Sequence, residues 1–341
     1  MGSLKAAALQ LFAASGLTAL LRPLQRDAGV VFMLHRFSDP SRGVVGHDPA
    51  HVRRLLGYLR RRGYRLTSLE ALLDSAANGS PRPNAVAFTI DDGYAEQAAV
   101  AGPLFAEFDC PVTTFVATGF LDGLLWFWWD RIEYVLRRAA VPDLAFEGAA
   151  GFVRYRLDEA GRRVAQAEIT GHCKALPDER KHELIERLAA AARVTLPVQP
   201  PPEYAPMTWD EVRECEGRGM TFGPHTVTHP TLSRVDDRKA EIEIRTSWAR
   251  LKSEAAAPVA VFAYPNGLTG DWSEREHAVL RQEGLRAVTA EPGFVTARRY
   301  RGSSGPLLVP RFAFPDTYSY FVQIVGGLER LKTMLRRNGE A

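Results

Sequence analysis

Short apolar runs rich in β-branched residues alternate along the chain with segments of helical periodicity. The runs predict buried β-strands at 30–34, 85–90, 111–117, 259–264, 285–289 and 308–312. Between the first two, apolar residues recur at helical spacing, namely Val52, Leu55, Leu56 and Leu59. Because strands alternate with amphipathic helices, the pattern predicts an α/β fold with a parallel sheet, open or closed into a barrel.

Polar residues indicate where some of these helices begin and end. A Ser or Thr followed three residues later by Glu predicts a capping box. This pattern occurs at Thr67 with Glu70, Thr208 with Glu211, and Ser273 with Glu276. Gly284 predicts the end of the last of these helices.

Residues 121–204 interrupt the alternation. They open with the aromatic run 124–129, continue with charged helical patterns, and return through the proline-rich stretch 198–202. We interpret 121–204 as an aromatic and helical insertion over or beside one face of the α/β body, which comprises 27–120 and 205–325. The run 124–129 is interpreted as core filling between insertion and body, with stacking on sugar rings or contact with lipid as alternatives.

The two ends of the chain are each predicted to be helical. Apolar residues before Arg22 predict an N-terminal helix within 1–26, packed on the domain or lying on a membrane surface: Leu9, Leu11, Phe12, Leu17, Leu20 and Leu21. We expect no membrane-spanning segment, since this stretch is short for one. Residues 326–341 predict a basic amphipathic helix that caps the domain.

Composition narrows the class of protein. With 341 residues the chain can form a sizeable core, and a net charge of +3 is too small to favour nucleic acid as a partner. The three cysteines Cys110, Cys173 and Cys215 are odd in number and far apart, which favours a reducing compartment. We therefore expect a cytoplasmic protein, with peripheral membrane contact through 1–26 or 124–129 as an alternative.

The candidate chemistry lies at two short motifs. Asp91 and Asp92 follow an apolar strand, where two adjacent carboxylates need a cation or hydrogen bonds. His225 and His229 are four residues apart, a spacing that one helical turn would bring onto a single face. One carboxylate and two imidazoles, with positions left open for water and substrate, are typical of a hydrolytic metal centre. A plain turn and a solvated histidine pair are the alternatives.

Three motifs occur in an order that resembles a known family: Phe88-Thr-Ile-Asp-Asp-Gly-Tyr94, His225-Thr-Val-Thr-His229 and Phe262-Ala-Tyr-Pro-Asn-Gly267. Together they resemble the polysaccharide deacetylases, the NodB-homology domain of carbohydrate esterase family 4. The resemblance covers the scaffold on both sides of the insertion but not the insertion itself. It implies a deformed (β/α) barrel of about seven strands.

The resemblance also implies roles for the residues of the first two motifs. Asp92, His225 and His229 would hold a divalent metal, and Asp91 would be the general base. Zinc suits a mixed carboxylate and imidazole site, with cobalt, nickel or iron as alternatives. A metal lowers the pKa of water, and a second carboxylate can then remove the proton as the water attacks an amide carbonyl.

His35 follows the first predicted strand and is the candidate general acid. Family members commonly carry a Leu-x-His motif near the C-terminus whose histidine has this role, but no histidine follows His277 here. Some relatives, including poly-N-acetylglucosamine deacetylases, are circularly permuted, with the corresponding strand at the N-terminus. In that branch His35 would protonate the leaving amine. A structural hydrogen bond is the alternative interpretation of a histidine at a strand end.

The third motif and the last strand supply the remaining candidates. By resemblance, Tyr264, Pro265 and Asn266 would line the substrate groove, and the backbone N–H of Tyr264 could stabilise an oxyanion. Arg311 could orient Asp91 by ion pairing, although an exposed arginine is an equally good interpretation. The family's Asp-x-x-Ser-Trp motif is not recognisable in this sequence.

The function implied by the resemblance is metal-dependent removal of the N-acetyl group from an N-acetylated sugar or polysaccharide. One alternative is a metal-dependent hydrolase of a small non-sugar amide on the same scaffold. Another is a non-catalytic carbohydrate-binding module, which would tolerate loss of Asp91 or of a metal ligand. All of these residues are present.

Overall fold

The computed structural model describes residues 18–79, 83–148, 151–296 and 308–339. The predicted N-terminal helix therefore lies largely outside the described residues, including its apolar positions Leu9, Leu11, Phe12 and Leu17. From Thr18 the chain forms one helical turn and then a 3-10 turn at Arg22–Gln25 before the first strand. None of the described helices is both long and apolar enough to span a bilayer.

Strands and helices alternate along the chain. The strands are β1 (Ala28–Leu34), β2 (Arg65–Leu66), β3 (Ala85–Asp92), β4 (Val112–Val116), β5 (Asp143–Gly148), β6 (Gly151–Arg156), β7 (Met220–Pro224), β8 (Val261–Ala263), β9 (Arg286–Val288), β10 (Val295–Thr296), β11 (Leu308–Val309) and β12 (Phe312–Ala313). The helices are α1 (Thr18–Leu21), α2 (Pro49–Arg61), α3 (Leu69–Ala77), α4 (Gly102–Ala106), α5 (Thr118–Leu121), α6 (Trp128–Arg138), α7 (Glu159–Ala175), α8 (Asp178–Ala192), α9 (Trp209–Glu216), α10 (Asp237–Glu254), α11 (Glu274–Gln282), α12 (Tyr318–Val325) and α13 (Leu328–Gly339).

Two parallel sheets form the centre of the molecule. In the larger sheet β1, β3, β4 and β7 lie side by side, and in the smaller sheet β8, β9 and β11 do so. The sheets adjoin where the Val259 amide donates to the Phe222 carbonyl at 2.8 Å. They adjoin again after β11, because the chain continues into β12, which pairs with β1. The strands thus follow one another around a deformed (β/α) barrel of seven positions, as predicted, in the order β1, β3, β4, β7, β8, β9 and β11. Ladder hydrogen bonds do not close the ring.

Aromatic packing between β1, β3 and the C-terminal helices fills one side of the barrel. Phe32 stacks on Phe321 at 5.0 Å between ring centroids and on Phe88 at 5.6 Å, and Phe314 meets Phe32 edge-on. All four rings are buried, and each contributes about 1.5–3 kcal/mol by leaving water. This packing fixes β1 beside β3, and so fixes the residues at the ends of these two strands relative to each other.

The predicted helix boundaries are right at two of the three capping boxes. Both reciprocal hydrogen bonds are present at Thr208 and at Ser273, and Gly284 follows the latter helix with φ of +68°. The prediction at Thr67 is wrong by one residue. Ser68 caps α3 by accepting from Ala71 N at 3.2 Å, because the Thr67 amide still donates to Val86 O as an extension of β2.

The segment between β4 and β7 has a small core of its own. Helices α6, α7 and α8 pack with the antiparallel hairpin of β5 and β6. The hairpin was not predicted, although burial of Leu144 and Phe146 between exposed Asp143 and Glu147 follows the two-residue period of a strand. In the aromatic run, Trp126, Phe127 and Trp128 are buried against protein. The exposed ring area of the run therefore belongs mainly to Trp129, which is half-buried.

Candidate active site

The carboxyl ends of the parallel strands converge on one cavity of about 470 Å³. His35 follows β1, Asp91 and Asp92 are the last residues of β3, and His225 follows β7. All four line the cavity, together with Tyr264 and Asn266 after β8. In α/β folds this end of the strands is the functional face, since side chains from several strands meet there.

Asp92, His225 and His229 form a compact group of possible metal ligands. One ligand atom from each lies within 4.8 Å of the others, and among the described residues this is the sole such group found. Asp92 Oδ1 is 3.7 Å from Nε2 of His225 and 3.7 Å from Nε2 of His229. All three side chains are buried. One oxygen and two imidazole nitrogens are a donor set suited to zinc and related divalent ions.

The two imidazoles have the protonation state that metal ligands need. Burial lowers the pKa of His225 to about 4 and that of His229 well below its usual range, so both rings are neutral at neutral pH. His225 Nδ1 donates to Ala263 O at 2.7 Å, which leaves Nε2 as the lone-pair nitrogen facing Asp92. Nδ1 of His229 is buried without a hydrogen-bond partner in the described ranges.

The histidine pair lies in a loop, and the predicted helical turn is wrong. Residues 225–230 after β7 are irregular, and Thr226 and His229 have φ of +67° and +57°. An α-helix cannot continue through residues in this left-handed conformation. Thr226 Oγ1 accepts from the His229 amide at 2.9 Å, so the side chain supplies the local bond that a helix would have provided.

A buried glutamate on α10 holds this loop in place. Glu243 Oε2 accepts from the amides of Val227 and Thr228 at 2.8 and 2.9 Å, and Oε1 accepts from the Thr228 hydroxyl. Glu243 was not predicted from the sequence. Its signal was an acidic residue among the buried positions of an amphipathic helix, beside Ile244 and Ser247.

The electrostatics of Asp92 also suit a bound cation. Burial, followed by the charges of Asp91 and Asp130, raises the pKa of Asp92 well above its usual range. An ionised carboxylate is therefore costly at this position unless a cation accompanies it. A divalent ion between Asp92 and the two neutral imidazoles would provide that compensation, so the residues fit a metal.

Asp91 has a different partner. The Arg311 guanidinium donates to both of its oxygens, at 2.7 and 2.8 Å, and is itself 1% exposed. Burial by itself raises the pKa of Asp91, but Arg311 and then His225 outweigh it and bring the pKa to about 2. Arg311 Nε is fixed in turn by the Thr289 carbonyl at 3.0 Å. The interpretation of Arg311 as an exposed surface residue is therefore wrong.

His35 lies beside Asp91 with its ring open to the cavity. Its Nε2 is 4.0 Å from Asp91 Oδ2, and the side chain is 45% exposed. Desolvation within the cavity lowers the pKa of His35, and the charge of Asp91 opposes this. Gln97, which the sequence analysis also missed, donates from Nε2 to the carbonyls of His35 and Asp91 at 2.8 and 2.6 Å. It thereby ties the ends of β1 and β3 together.

The residues of the third motif are present, but not all in the predicted way. The backbone N–H of Tyr264 donates to Val288 O at 3.3 Å, so it is engaged by the neighbouring strand and does not face the cavity as an oxyanion donor. Pro265 is buried, and its carbonyl accepts from Gly267 N. Asn266 Nδ2 donates to the Thr231 hydroxyl at 2.9 Å. The Tyr264 and Asn266 side chains form part of the wall.

A buried polar network joins α6 to the β3 motif. The Tyr94 hydroxyl donates to Asp130 Oδ2 at 2.7 Å and accepts from Trp129 Nε1 at 3.0 Å. The Arg36 guanidinium lies 3.7 Å above the Tyr94 ring and pairs with Glu96. Burial raises the pKa of Asp130 to about 8, with Arg36 opposing it. Trp129 also meets the His229 ring edge-on at 4.7 Å, so the network supports one side of the metal-ligand group.

Comparisons with known proteins agree with this geometry. The family model for polysaccharide deacetylases matches residues 186–288, a range that includes the His225–His229 motif and Tyr264. No curated protein sequence matches the chain.

Solved structures share the fold at low sequence identity. The deacetylase PplD from Streptococcus pyogenes, in complex with acetate, has a TM-score of 0.56 at 16% identity, covering 87% of this chain and 97% of its own. IcaB from Ammonifex degensii has a TM-score of 0.54 at 17% identity, and the match covers 89% of this chain and 98% of IcaB. A de-N-acetylase from Aggregatibacter actinomycetemcomitans has a TM-score of 0.55 at 13% identity, and the match covers 88% of this chain and 100% of the de-N-acetylase. The family model covers less than half of the chain and these structures share its fold, so both agree with the resemblance to the polysaccharide deacetylases that the motifs carry.

Proposed function

We propose that this protein is a metal-dependent hydrolase that removes the N-acetyl group from an N-acetylated saccharide. One observation carries the proposal: a buried group of one carboxylate and two neutral imidazoles shares a cavity with a separate, ion-paired carboxylate and a histidine. Metal ligands, base and acid are thus distinct residues within reach of one substrate. A non-catalytic binding module has no need of this division.

Asp92, His225 and His229 would hold the metal, with zinc favoured by the donor set and cobalt, nickel or iron as alternatives. When bound, the metal supplies a Lewis acid that polarises the acetamide carbonyl and lowers the pKa of the attacking water. Asp91 accepts the proton of that water. Arg311 keeps Asp91 ionised and holds both of its oxygens, so the base has a fixed direction.

His35 returns a proton to the nitrogen. As the carbon–nitrogen bond breaks, the amine leaves with the proton from His35, and acetate carries the oxygen of the water. The lowered pKa of His35 makes its protonated ring a stronger acid than a free imidazolium, which favours proton transfer to the departing amine. Its position beside Asp91 brings acid and base to the same side of the cavity.

A saccharide fits the walls of the cavity better than a small apolar amide does. The half-buried ring of Trp129 lies among hydrogen-bonding side chains such as Gln166 and Asn266. Such a mixture can stack on sugar faces and bind hydroxyl groups. PplD, one of the similar structures, is a deacetylase solved with acetate, and acetate is the product expected here.

The test is acetate release by metal-loaded protein from N-acetylglucosamine oligomers, lipid-linked N-acetylated sugars and sugar nucleotides. We expect release by the wild type, its loss on chelation and recovery on adding metal. In Asp91→Asn, kcat should fall by about 10²–10⁴-fold while metal content is retained, because only the base is removed. His172→Ala, at an exposed position of α7, is the matched control and should behave as wild type.

Two results would redirect the assignment. Tight binding of oligosaccharide without acetate release from any substrate would favour a binding module. Unchanged turnover in His35→Ala would remove His35 from the mechanism and leave the acid unassigned.

A further inference from the structure

The active-site cavity continues beyond the metal ligands onto one face of α7. Gln166, Thr170 and Lys174 line it, and the same three residues line an adjoining groove of about 410 Å³ with Arg163. Positions three and four apart share one face of a helix, so these side chains form a polar stripe. From Gln166 to Lys174 the helix rises by about 12 Å. The stripe is long enough to extend a substrate site away from the metal.

Among the described residues that line the cavity, Lys174 is the Lys or Arg side chain without an ion pair. Three basic residues line the cavity, and two of them have carboxylate partners, since Arg36 pairs with Glu96 and Arg137 pairs with Glu133. Lys174 is exposed and makes no ion pair or hydrogen bond with any residue in the described ranges. Burial raises the pKa of Asp271 and the charge of Lys174 opposes this, but the two form no ion pair, so the outer end of the cavity carries a lysine without a salt-bridge partner among the described residues.

The acidic residues that line the cavity have partners other than Lys174. Asp91 is neutralised by Arg311, and Glu203 pairs with Arg138 at 2.9 Å. Asp92 belongs to the metal-ligand group. Asp130 accepts a hydrogen bond from Tyr94, and Glu133 pairs with Arg137. None of the described lining carboxylates therefore forms an ion pair with Lys174.

Lys174 is in the last turn of its helix, where a lysine is favourable without any ligand. Two facts distinguish it from an ordinary helix-ending lysine. It lines both the cavity and the groove. In addition, its charge reaches across the cavity, since after burial and the effects of Asp91 and Arg311 it contributes to the lowered pKa of His35.

We propose that Lys174, with Gln166 and Thr170, forms a subsite for a negatively charged group on the saccharide, next to the sugar that loses its acetyl group. The inference rests on the proposed function and deepens it by naming a substrate class. Gln166 and Thr170 would bind hydroxyl groups, and Lys174 would bind a carboxylate or a phosphate. Both anions offer the oxygen acceptors that an ammonium group binds.

The test compares three substrates by acetate release. They are a neutral N-acetylglucosamine tetramer, an oligosaccharide in which N-acetylglucosamine alternates with glucuronic acid, and N-acetylglucosamine 1-phosphate. We expect the wild type to prefer an anionic substrate, and added salt to weaken that preference. The anionic substrate that depends on Lys174 identifies the group as a carboxylate or a phosphate.

In Lys174→Glu, the KM for the preferred anionic substrate should rise about fivefold or more relative to that for the neutral tetramer, whereas an effect through the pKa of His35 would change the turnover of both substrates alike. Lys174→Arg keeps the charge and should restore the wild-type KM. Lys252→Glu, the same change at an exposed lysine of α10, is the matched control. Equal effects of Lys174→Glu on neutral and anionic substrates would overturn the inference.

Failure of the inference and failure of the proposed function give different results. Acetate release from the neutral tetramer with no dependence on Lys174 for either anionic substrate overturns the inference alone. If the wild type releases no acetate at all, the proposed function fails, and calorimetric titration with the uronate oligosaccharide still tests the subsite. Binding by wild type but not by Lys174→Glu supports it, and equal binding by both overturns it.

Discussion

At the scale of single residues, the site separates two adjacent carboxylates by giving them different partners. Asp91 is held by Arg311 through two hydrogen bonds, and Asp92 faces two neutral imidazoles. As a result the pKa of Asp91 lies near 2, whereas burial and neighbouring charge raise that of Asp92. In the proposed mechanism these two carboxylates, adjacent in sequence, have separate tasks, Asp91 as base and Asp92 as metal ligand.

Arg311→Met tests this division. It leaves Asp91 buried without its counter-charge, so we expect the free energy of unfolding at pH 7 to fall by about 3–5 kcal/mol, measured by urea denaturation. The ion pair stabilises the fold fully above the unfolded carboxyl pKa of about 3.9, and this contribution is lost as the pH falls through the folded pKa of about 2. The stability difference should therefore disappear in strong acid. A variant as stable as wild type at pH 7 would contradict the expectation.

We also expect Arg311→Met to change the pH dependence of activity. Without Arg311 the pKa of Asp91 rises, so the acidic limb of kcat/KM should move to higher pH. Arg286→Met is the control, because Arg286 pairs with the largely exposed Asp74 and should cost only about 0–1 kcal/mol.

At the scale of elements, the position of the proposed metal ligands depends on contacts between a loop and a helix. Two of the three proposed ligands, His225 and His229, are the first and last residues of the segment 225–229, which has no regular secondary structure. Glu243 on α10 binds two amides and one hydroxyl of that loop, and Ala263 at the end of β8 orients His225. The rigidity of the ligand group therefore comes from neighbouring elements.

Glu243→Ala should lower metal affinity about 10–100-fold, since the loop loses its anchor and two amides lose their acceptor. Glu243→Gln should keep most of the affinity, because one amide oxygen can accept from both backbone N–H groups while the NH₂ donates to Thr228. Metal dissociation constants measured by competition with a chelator distinguish the two variants. Equal affinities in Glu243→Ala and wild type would show that the loop holds itself in place.

At the scale of the whole molecule, the proposed metal ligands come from two distant parts of the chain and meet at one point. Asp92 comes from β3 and the histidines from the loop after β7, on opposite sides of the insertion in sequence. The unfolded chain has no such site. Metal binding should therefore favour the folded state of the entire barrel.

A divalent metal at one hundred times its dissociation constant should stabilise the wild type by about 2.7 kcal/mol, seen as a rise in Tm. His229→Ala removes a ligand and should abolish most of that rise, whereas the control His172→Ala should show it in full. The rise should reverse with a chelator. An equal rise in His229→Ala would contradict the assignment of His229 as a ligand.

The sequence by itself determined the features that local pattern controls. Apolar runs located β1, β3, β4, β8, β9 and β11 but not β7, and two capping boxes located helix starts, because burial and capping depend on residues close together in the chain. The types of candidate ligand were also evident, since the carboxylates and histidines stand in short motifs. The hairpin of β5 and β6 was missed although its two-residue period was present, because the charged helices around it dominated the pattern of the insertion.

Only the tertiary structure decided the partners of these residues. Arg311 is 220 residues from Asp91, and the Tyr264 amide is taken by Val288 of the neighbouring strand. The histidine spacing fits a helix as well as a loop, and the left-handed residues and Glu243 select the loop. Such contacts follow from the way the strands close around the barrel, which places distant residues side by side. Local sequence preferences do not depend on which distant residues become neighbours. The types of the candidate residues could therefore be predicted from the sequence, but their hydrogen-bond partners and relative positions could not.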